Sequence, residues 1–368
     1  MVTPSYYPIK GGSESVVENL SIKLNESGTQ TDIMTFNMNK KWNPCWQTKR
    51  EKLDGLNVIK IPALNWYPLE HSNRITLGIN LIPGIFRNYL KEYDIIHFHG
   101  EDLTFPVFSF LIKKPKIFHS HGFSLDFYKR YHLTRLILKR IADRYISISQ
   151  IMTKEFAELG INPRRIRYLP NSVDPVVFHP IEKKDSNLIL FVGRVTRAKG
   201  LHILVESLQH LKTKVHLVII GPPDWDGEYF AAIRRKIAEV NRTGKHIITY
   251  LGPQEQKEII NWYQKASLFV LPSFREASPV TILEALSCET PVIATNVGAV
   301  SEMVRVGRNG LLVPPNNISR LAESIQSLLD REDVRTKYGR EGRKSIVENF
   351  SHDVIVGRLI KIYEEILQ

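Results

Sequence analysis

Short apolar runs, bounded by polar and turn-forming residues, alternate along this chain with stretches whose apolar positions recur at helical spacing. That alternation is the signature of βαβ units and parallel sheets. In the first half, residues 1–4, 31–36, 57–62, 94–99, 116–121 and 144–149 read as strands. Residues 13–27 and 152–159 read as helices closed by Gly28 and Gly160. NSVDPVVFHP (171–180), rich in turn formers and holding two prolines, reads as a linker. Beyond it, residues 188–193, 216–221, 246–252, 267–272, 291–295 and 310–314 read as strands, with helices expected over 199–211 and 317–330. Apolar side chains cover most of the surface of residues 354–367, which predicts a well-packed helix.

A chain of 368 residues exceeds one ordinary core, so two domains are expected. Hydrophobic content of 43% and charged content of 24% are globular values, which excludes a disordered or fibrous chain. No apolar run approaches the ~20 residues of a membrane span, and no secretory signal pattern opens the sequence. Only two cysteines occur, Cys45 and Cys288, far apart; a disulfide framework is excluded and a reducing cytosol is expected. Cys288 reads as a buried structural thiol. The net charge is +12, with the larger excess before residue 180. A basic front half suits an anionic partner such as a membrane surface, a nucleic acid or a phosphorylated substrate, or simply a solvated surface.

The most informative stretch is LPSFREASPVTILE (271–284). A buried strand ends, Glu276 sits in the turn, and a helix opens with Ser278 as the expected N-cap and Pro279 as the first helical residue. Glu284 follows inside that helix. The first N–H groups of a helix lack internal partners and bind anions, and crevices of open α/β sheets lie at the carboxyl ends of strands. This turn therefore describes a site for a phosphate and a neutral polyol together. FVGRVTRAKG (191–200) places Arg194 and Lys199 at a second strand end, where two cations suit a diphosphate. KGGSE (10–14) follows the first strand, and Gly11 and Gly12 allow close backbone approach without completing a dinucleotide fingerprint. His97 and His99 share a strand face, as do His119 and His121. No cysteine joins them and no His-Glu-x-x-His helix is present, so His121 reads as a donor to a substrate oxygen and no metal site is expected. Asp224 and Asp226 flank Trp225 in a polar loop and read as a solvated turn rather than a Mg²⁺ or Mn²⁺ site.

Together these segments resemble the family four retaining glycosyltransferases. The likeness runs from Pro4, Gly11, Gly12 and Glu14 through DIIHFH, HSHG (119–122), LPNSVD (169–174) and GRVTRAKG to PSFREASPVTILEALSCETPVIAT with its Glu-x(7)-Glu pair. The resemblance implies an α/β chain of GT-B architecture, two Rossmann-like parallel-sheet domains facing across a cleft. Residues 1–171 would bind acceptor, residues 172–353 a nucleotide-sugar donor, and the segment 354–368 would pack back on the first domain. It implies a catalytic set of Glu276, His121, Arg194 and Lys199. It also implies a donor-binding set of Gly11, Gly12, Arg194, Lys199, Glu276, Ala277, Ser278, Pro279, Val280 and Glu284. Glu276 would contact the hexose, Glu284 the ribose, Arg194 and Lys199 the diphosphate, and His121 the donor sugar.

No cofactor or metal is expected. The implied partners are a UDP- or GDP-linked sugar and a glycan, lipid-linked or small-molecule acceptor. A cytoplasmic enzyme touching an anionic membrane through Lys113, Lys114 and Lys116, or through the run from Tyr128 to Arg140, is the implied setting; no nucleic-acid motif is present. Two departures stand out: Ala277 where the family often has Gly, and Ser172 after Asn171 where it commonly has Gly. A nucleotide-sugar epimerase on the same fold, which would need no acceptor, and a non-catalytic binding protein are the rivals.

Overall fold

The computed structural model describes all residues except 9–10, 38–44, 46, 63–88, 101–112, 123–124 and 224–226. The chain divides into two compact units: residues 1–170 with 355–368, and residues 171–354. Each division falls one residue from the boundary expected from sequence.

The first unit holds an eight-stranded sheet. Its strands are β1 (Val2–Thr3), β2 (Ile33–Phe36), β3 (Lys49–Leu53), β4 (Leu56–Ile61), β5 (Ile96–Gly100), β6 (Lys116–Ser120), β7 (Arg144–Ser147) and β8 (Ile166–Tyr168). They lie in the order β3-β4-β2-β1-β5-β6-β7-β8. All pairs are parallel except the hairpin β3–β4. Two of these strands were not expected. β3 is a charged edge strand without an apolar face, and only its turn announces it: Asp54 and Gly55 both take positive φ, the geometry of a two-residue hairpin turn. β8 is three residues of the segment leading into the linker.

The second unit holds β9 (Asp185–Val192), β10 (His216–Ile220), β11 (Ile247–Gly252), β12 (Ala266–Leu271), β13 (Val292–Thr295) and β14 (Gly310–Val313), in the order β11-β10-β9-β12-β13-β14. Every pair is parallel. Strands covered by helices on both faces read as continuous apolar runs, and β12 is buried at every position. Around the sheet pack helices that include Leu201–Ser207, Gln256–Lys265, Val280–Ser287, Ile318–Leu329 and Glu332–Asn349. The single helix expected over 199–211 is broken. A 3₁₀ turn, Arg197–Lys199, ends at Gly200, whose φ of +66° no helix continues through, and Leu201–Ser207 starts there afresh.

Both sheets reverse their order at one place, and such switch points are where open α/β sheets bind ligands. From β9 the chain steps outward through β10 to β11, then returns to lay β12 on the other side of β9. The connections leaving β9 and β12 therefore diverge and open a crevice at their carboxyl ends. In the first sheet the same reversal falls between β1 and β5. The last helix, His352–Leu367, buries Ile355, Val356, Leu359 and Ile362 and ties Glu365 to Arg167 at 2.7 Å. Among the described residues no helix is long and apolar enough to cross a membrane.

Candidate active site

At the switch point of the second sheet, the loop after β9 meets the loop after β12. Lys199 Nζ lies 2.6 Å from Glu276 Oε1, and the Ser273 hydroxyl donates to the same oxygen at 2.6 Å. The Glu276 side chain is only 6% exposed, and these donors satisfy its buried oxygen. Both land on Oε1 and leave Oε2 for another donor. Lys199 was read as a phosphate cation; here it is also the counter-ion of Glu276. An ammonium carries three donors, so two remain. Arg194 stands two residues past the end of β9 and is exposed.

Backbone contacts lock these loops. Phe274 N–H donates to the Ala198 carbonyl at 2.8 Å, Ala299 N–H to the Ala277 carbonyl at 3.3 Å, and Thr295 Oγ1 to the Ser273 carbonyl. Gly298 has a φ of +53°, and a Cβ there would sit 1.6 Å from the Glu276 carbonyl oxygen. At Gly200 a Cβ would come within 2.0 Å of the Pro272 carbonyl oxygen. Only glycine fits either place, and the carboxylate turn is held by both approaches.

The helix Val280–Ser287 opens beside this turn, but not as the sequence suggests. Pro279 is the N-cap and Val280 the first helical residue; no side chain caps the end. Ser278, expected to be the cap, is one residue too early, and its buried hydroxyl finds no partner. Asn171 donates its Nδ2 to the Ser278 carbonyl at 2.8 Å, while its own Oδ1 is buried without a partner. An uncapped helix N-terminus next to unsatisfied polar atoms is suited to an anion. Within the helix, Glu284 Oε2 accepts from the Tyr263 hydroxyl at 2.8 Å. Burial raises the Glu284 carboxyl to about 7, and the Tyr263 bond only partly offsets it. Cys288 follows that helix and is buried, as expected, with its thiol pushed up to about 12 by burial.

Gly11, Gly12 and His121 belong to the first unit. Gly11 caps the helix Gly12–Glu26, and its N–H is held by Glu14 Oε2 at 2.9 Å. A Cβ at Gly12 would meet nothing within 4 Å, so this backbone faces open space. His121 follows β6; its Nε2 is 2.9 Å from His99 Nδ1, and burial lowers it to about 4, so the ring is neutral. His99 Nε2 lies 3.0 Å from the Met1 thioether, which can only accept, so His99 Nδ1 accepts and the one N–H of His121 sits on Nε2. Asp224 and Asp226 lie outside the described residues.

Comparison with known proteins resolves the class. Residues 177–345 match the family Glycosyl transferases group 1, and residues 10–177 match Glycosyltransferase Family 4. The chain belongs to the group 1 glycosyltransferases. It is 28% identical to an uncharacterised glycosyltransferase of Methanocaldococcus jannaschii over 98% of this chain and 96% of that protein. Sucrose-phosphate synthase from Thermosynechococcus elongatus superposes with a TM-score of 0.79 at 22% identity, covering 99% of this chain and 98% of that one. HepE from Anabaena, solved in complex with UDP-glucose, superposes with a TM-score of 0.77 at 17% identity, covering 99% of each chain. These structures show the GT-B fold of two Rossmann-like α/β domains.

In this glycosyltransferase the structure joins Lys199 to Glu276 and seats Glu284 on Tyr263. Ser273, Tyr263, Gly298 and Asn171 are the site residues that sequence reasoning missed. Asn171 stands in the LPNSVD segment and Ser273 three residues before Glu276, which are usable signals; Tyr263 and Gly298 carry none.

The Glu284 carboxyl gives a pH prediction. Its folded-state pKa, about 7, lies above the unfolded value of 4.5, so the folded state holds this proton more tightly. Its contribution to stability is complete below about 4.5 and is lost as pH rises through about 7. Melting temperatures of wild type and Glu284→Gln, compared across that window, should show wild type losing ground steadily as pH rises. A constant difference would mean that Glu284 titrates as an ordinary carboxylate.

Proposed function

We propose that this glycosyltransferase moves a hexosyl group, with retention of anomeric configuration, from a nucleotide-diphosphate sugar to a glycan, lipid-linked or small-molecule acceptor. The observation that carries the reading is the Lys199–Glu276 pair at the β9–β12 switch point, beside an uncapped helix N-terminus. Breaking the anomeric C–O bond builds positive charge on the sugar and negative charge on the departing diphosphate. Arg194, the free donors of Lys199 and the first N–H groups of Val280–Ser287 would hold that diphosphate. Glu276 Oε2 would accept from a sugar hydroxyl, and ionised Glu284 from the ribose. That HepE was crystallised with UDP-glucose supports a nucleotide sugar as donor. For Gly11, Gly12 and His121 the reading rests on the resemblance, and for Gly12 also on its open backbone. An epimerase would turn over donor without acceptor, so product analysis with donor alone separates the two.

Diphosphate stabilisation by these side chains replaces a metal, so turnover should persist in excess EDTA, and loss of turnover rescued by Mn²⁺ would refute that assignment. Arg194→Ala and Lys199→Ala should each lower kcat by roughly 10²–10³, about 2.7–4 kcal/mol by analogy with oxyanion donors, while cooperative melting survives. Near-normal kinetics in both variants would place the phosphates elsewhere.

A lipid-linked acceptor brings a membrane surface into the same reading. The helices Leu125–Arg130 and His132–Leu138 leave Leu133 70%, Leu136 47% and Tyr131 47% exposed. Arg130 and Arg140 are exposed beside them, while Lys129 is paired with Glu158 at 3.0 Å. Tyr128 and Leu138, expected on this face, are buried instead. Exposed apolar side chains among cations suit an anionic bilayer. Cosedimentation with anionic liposomes should fall with added salt and with Leu133→Glu plus Leu136→Glu; no binding at low salt would remove membrane contact from the proposal.

A further inference from the structure

Neighbouring strands of the first sheet gather three imidazoles at one buried point. His97 and His99 lie on β5 and His119 on β6, with His99 directly opposite His119 in the parallel register. Ring centroids are 4.1 Å apart for His97 and His99, 4.9 Å for His99 and His119, and 5.3 Å for His97 and His119. No ring is more than 3% exposed, and one ligand atom from each lies within 4.8 Å of the others. Yet the cluster is not satisfied. His97 Nε2 and both ring nitrogens of His119 are buried without a hydrogen-bond partner. A neutral imidazole carries one N–H and one lone pair, so His119 leaves both unmet. Orphans of this kind usually mark a missing water or ion.

The outer contacts orient the rings towards an ion. His97 Nδ1 is 2.7 Å from the Tyr363 hydroxyl, and His99 Nδ1 is 2.9 Å from His121 Nε2. With its Nδ1 donating to Tyr363, His97 turns its Nε2 lone pair inward; His99 Nε2 donates to the Met1 thioether, and binding an ion there moves that proton to Nδ1, where His121 Nε2 accepts it. Metal-binding histidines are held in this way, by an acceptor on the far nitrogen. Burial, reinforced by neighbouring charge, keeps all three imidazoles well below their ordinary pKa, so each is neutral and free to ligate.

We propose that His97, His99 and His119 form a zinc-binding site inside the first unit, with Tyr363 and His121 as outer partners and a structural role. His99 Nε2 would exchange its 3.0 Å contact with the Met1 thioether for the ion. Zinc sits ~2.0–2.1 Å from each nitrogen, which would draw the three to about 3.4 Å from one another. The expectation of no metal rested on the absence of cysteine and of a His-Glu-x-x-His helix. The third imidazole comes from strand register, which neither motif reveals. This zinc supplies nothing at the donor phosphates, so stripping it lowers the melting temperature and spares turnover well below that temperature.

The test uses tag-free full-length protein, stripped with chelator and dialysed. Zn²⁺ should bind with a stoichiometry of one and raise the melting temperature, and Co²⁺ in its place should give the visible d–d absorption of a tetrahedral site. His97→Gln and His119→Gln should abolish both signals. Tyr363→Phe, which removes only a hydroxyl, should weaken Zn²⁺ about 10–100-fold. The exposed His179→Gln should change nothing. Absence of both the melting shift and the Co²⁺ spectrum in wild type, as a buried water in the cluster would give, overturns the proposal without reference to any variant. Binding that survives both His97→Gln and His119→Gln overturns it equally.

Discussion

The ion pair between Lys199 and Glu276 is the contact on which the candidate site of the second unit depends. It joins loops that leave the second sheet in opposite directions, one after β9 and one after β12. A carboxylate as buried as Glu276 would be costly without the Lys199 and Ser273 donors. Pairs of this kind add little net stability over an apolar replacement. What the pair supplies is a charged arrangement fixed before any ligand arrives, the property that makes electrostatic catalysis effective. The glycines at 200 and 298 serve the same end, since they let the Pro272 and Glu276 carbonyls lie against neighbouring backbone.

Much of this was legible in the chain. The inner strands of both sheets announce themselves as apolar runs, and the turn around Glu276 is bounded by residues with known structural habits. What stayed hidden depends on partners distant in sequence. β3 has the charge pattern of a surface loop and is a strand only because β4 pairs with it. The helix Glu332–Asn349 was not anticipated, since Gly339 and Gly342 weaken a helix on propensity. They are needed for packing: a Cβ at Gly339 would stand 2.3 Å from the Glu289 carbonyl oxygen, and one at Gly342 would stand 2.8 Å from Leu286. Cap position was misjudged for a local reason, because Ser-Pro reads as cap and first turn while Pro279 itself takes an extended conformation.

The histidines show the same limit in the site. Alternation predicts that His97 and His99 share a face, but only the β5–β6 register sets His119 against them. Tyr363 reaches His97 from the last helix, 266 positions away. The identity of the acceptor is the least legible part of this glycosyltransferase.

The most direct measurement is the crystal structure of the protein soaked with UDP, GDP or ADP. Diphosphate oxygens should lie within hydrogen-bond reach of Lys199 Nζ, the Arg194 guanidinium and the first N–H groups of Val280–Ser287, with the ribose hydroxyls on Glu284. A nucleotide bound elsewhere, with Lys199, Glu276 and the end of that helix untouched, would contradict the assignment of the β9–β12 switch point as the donor site.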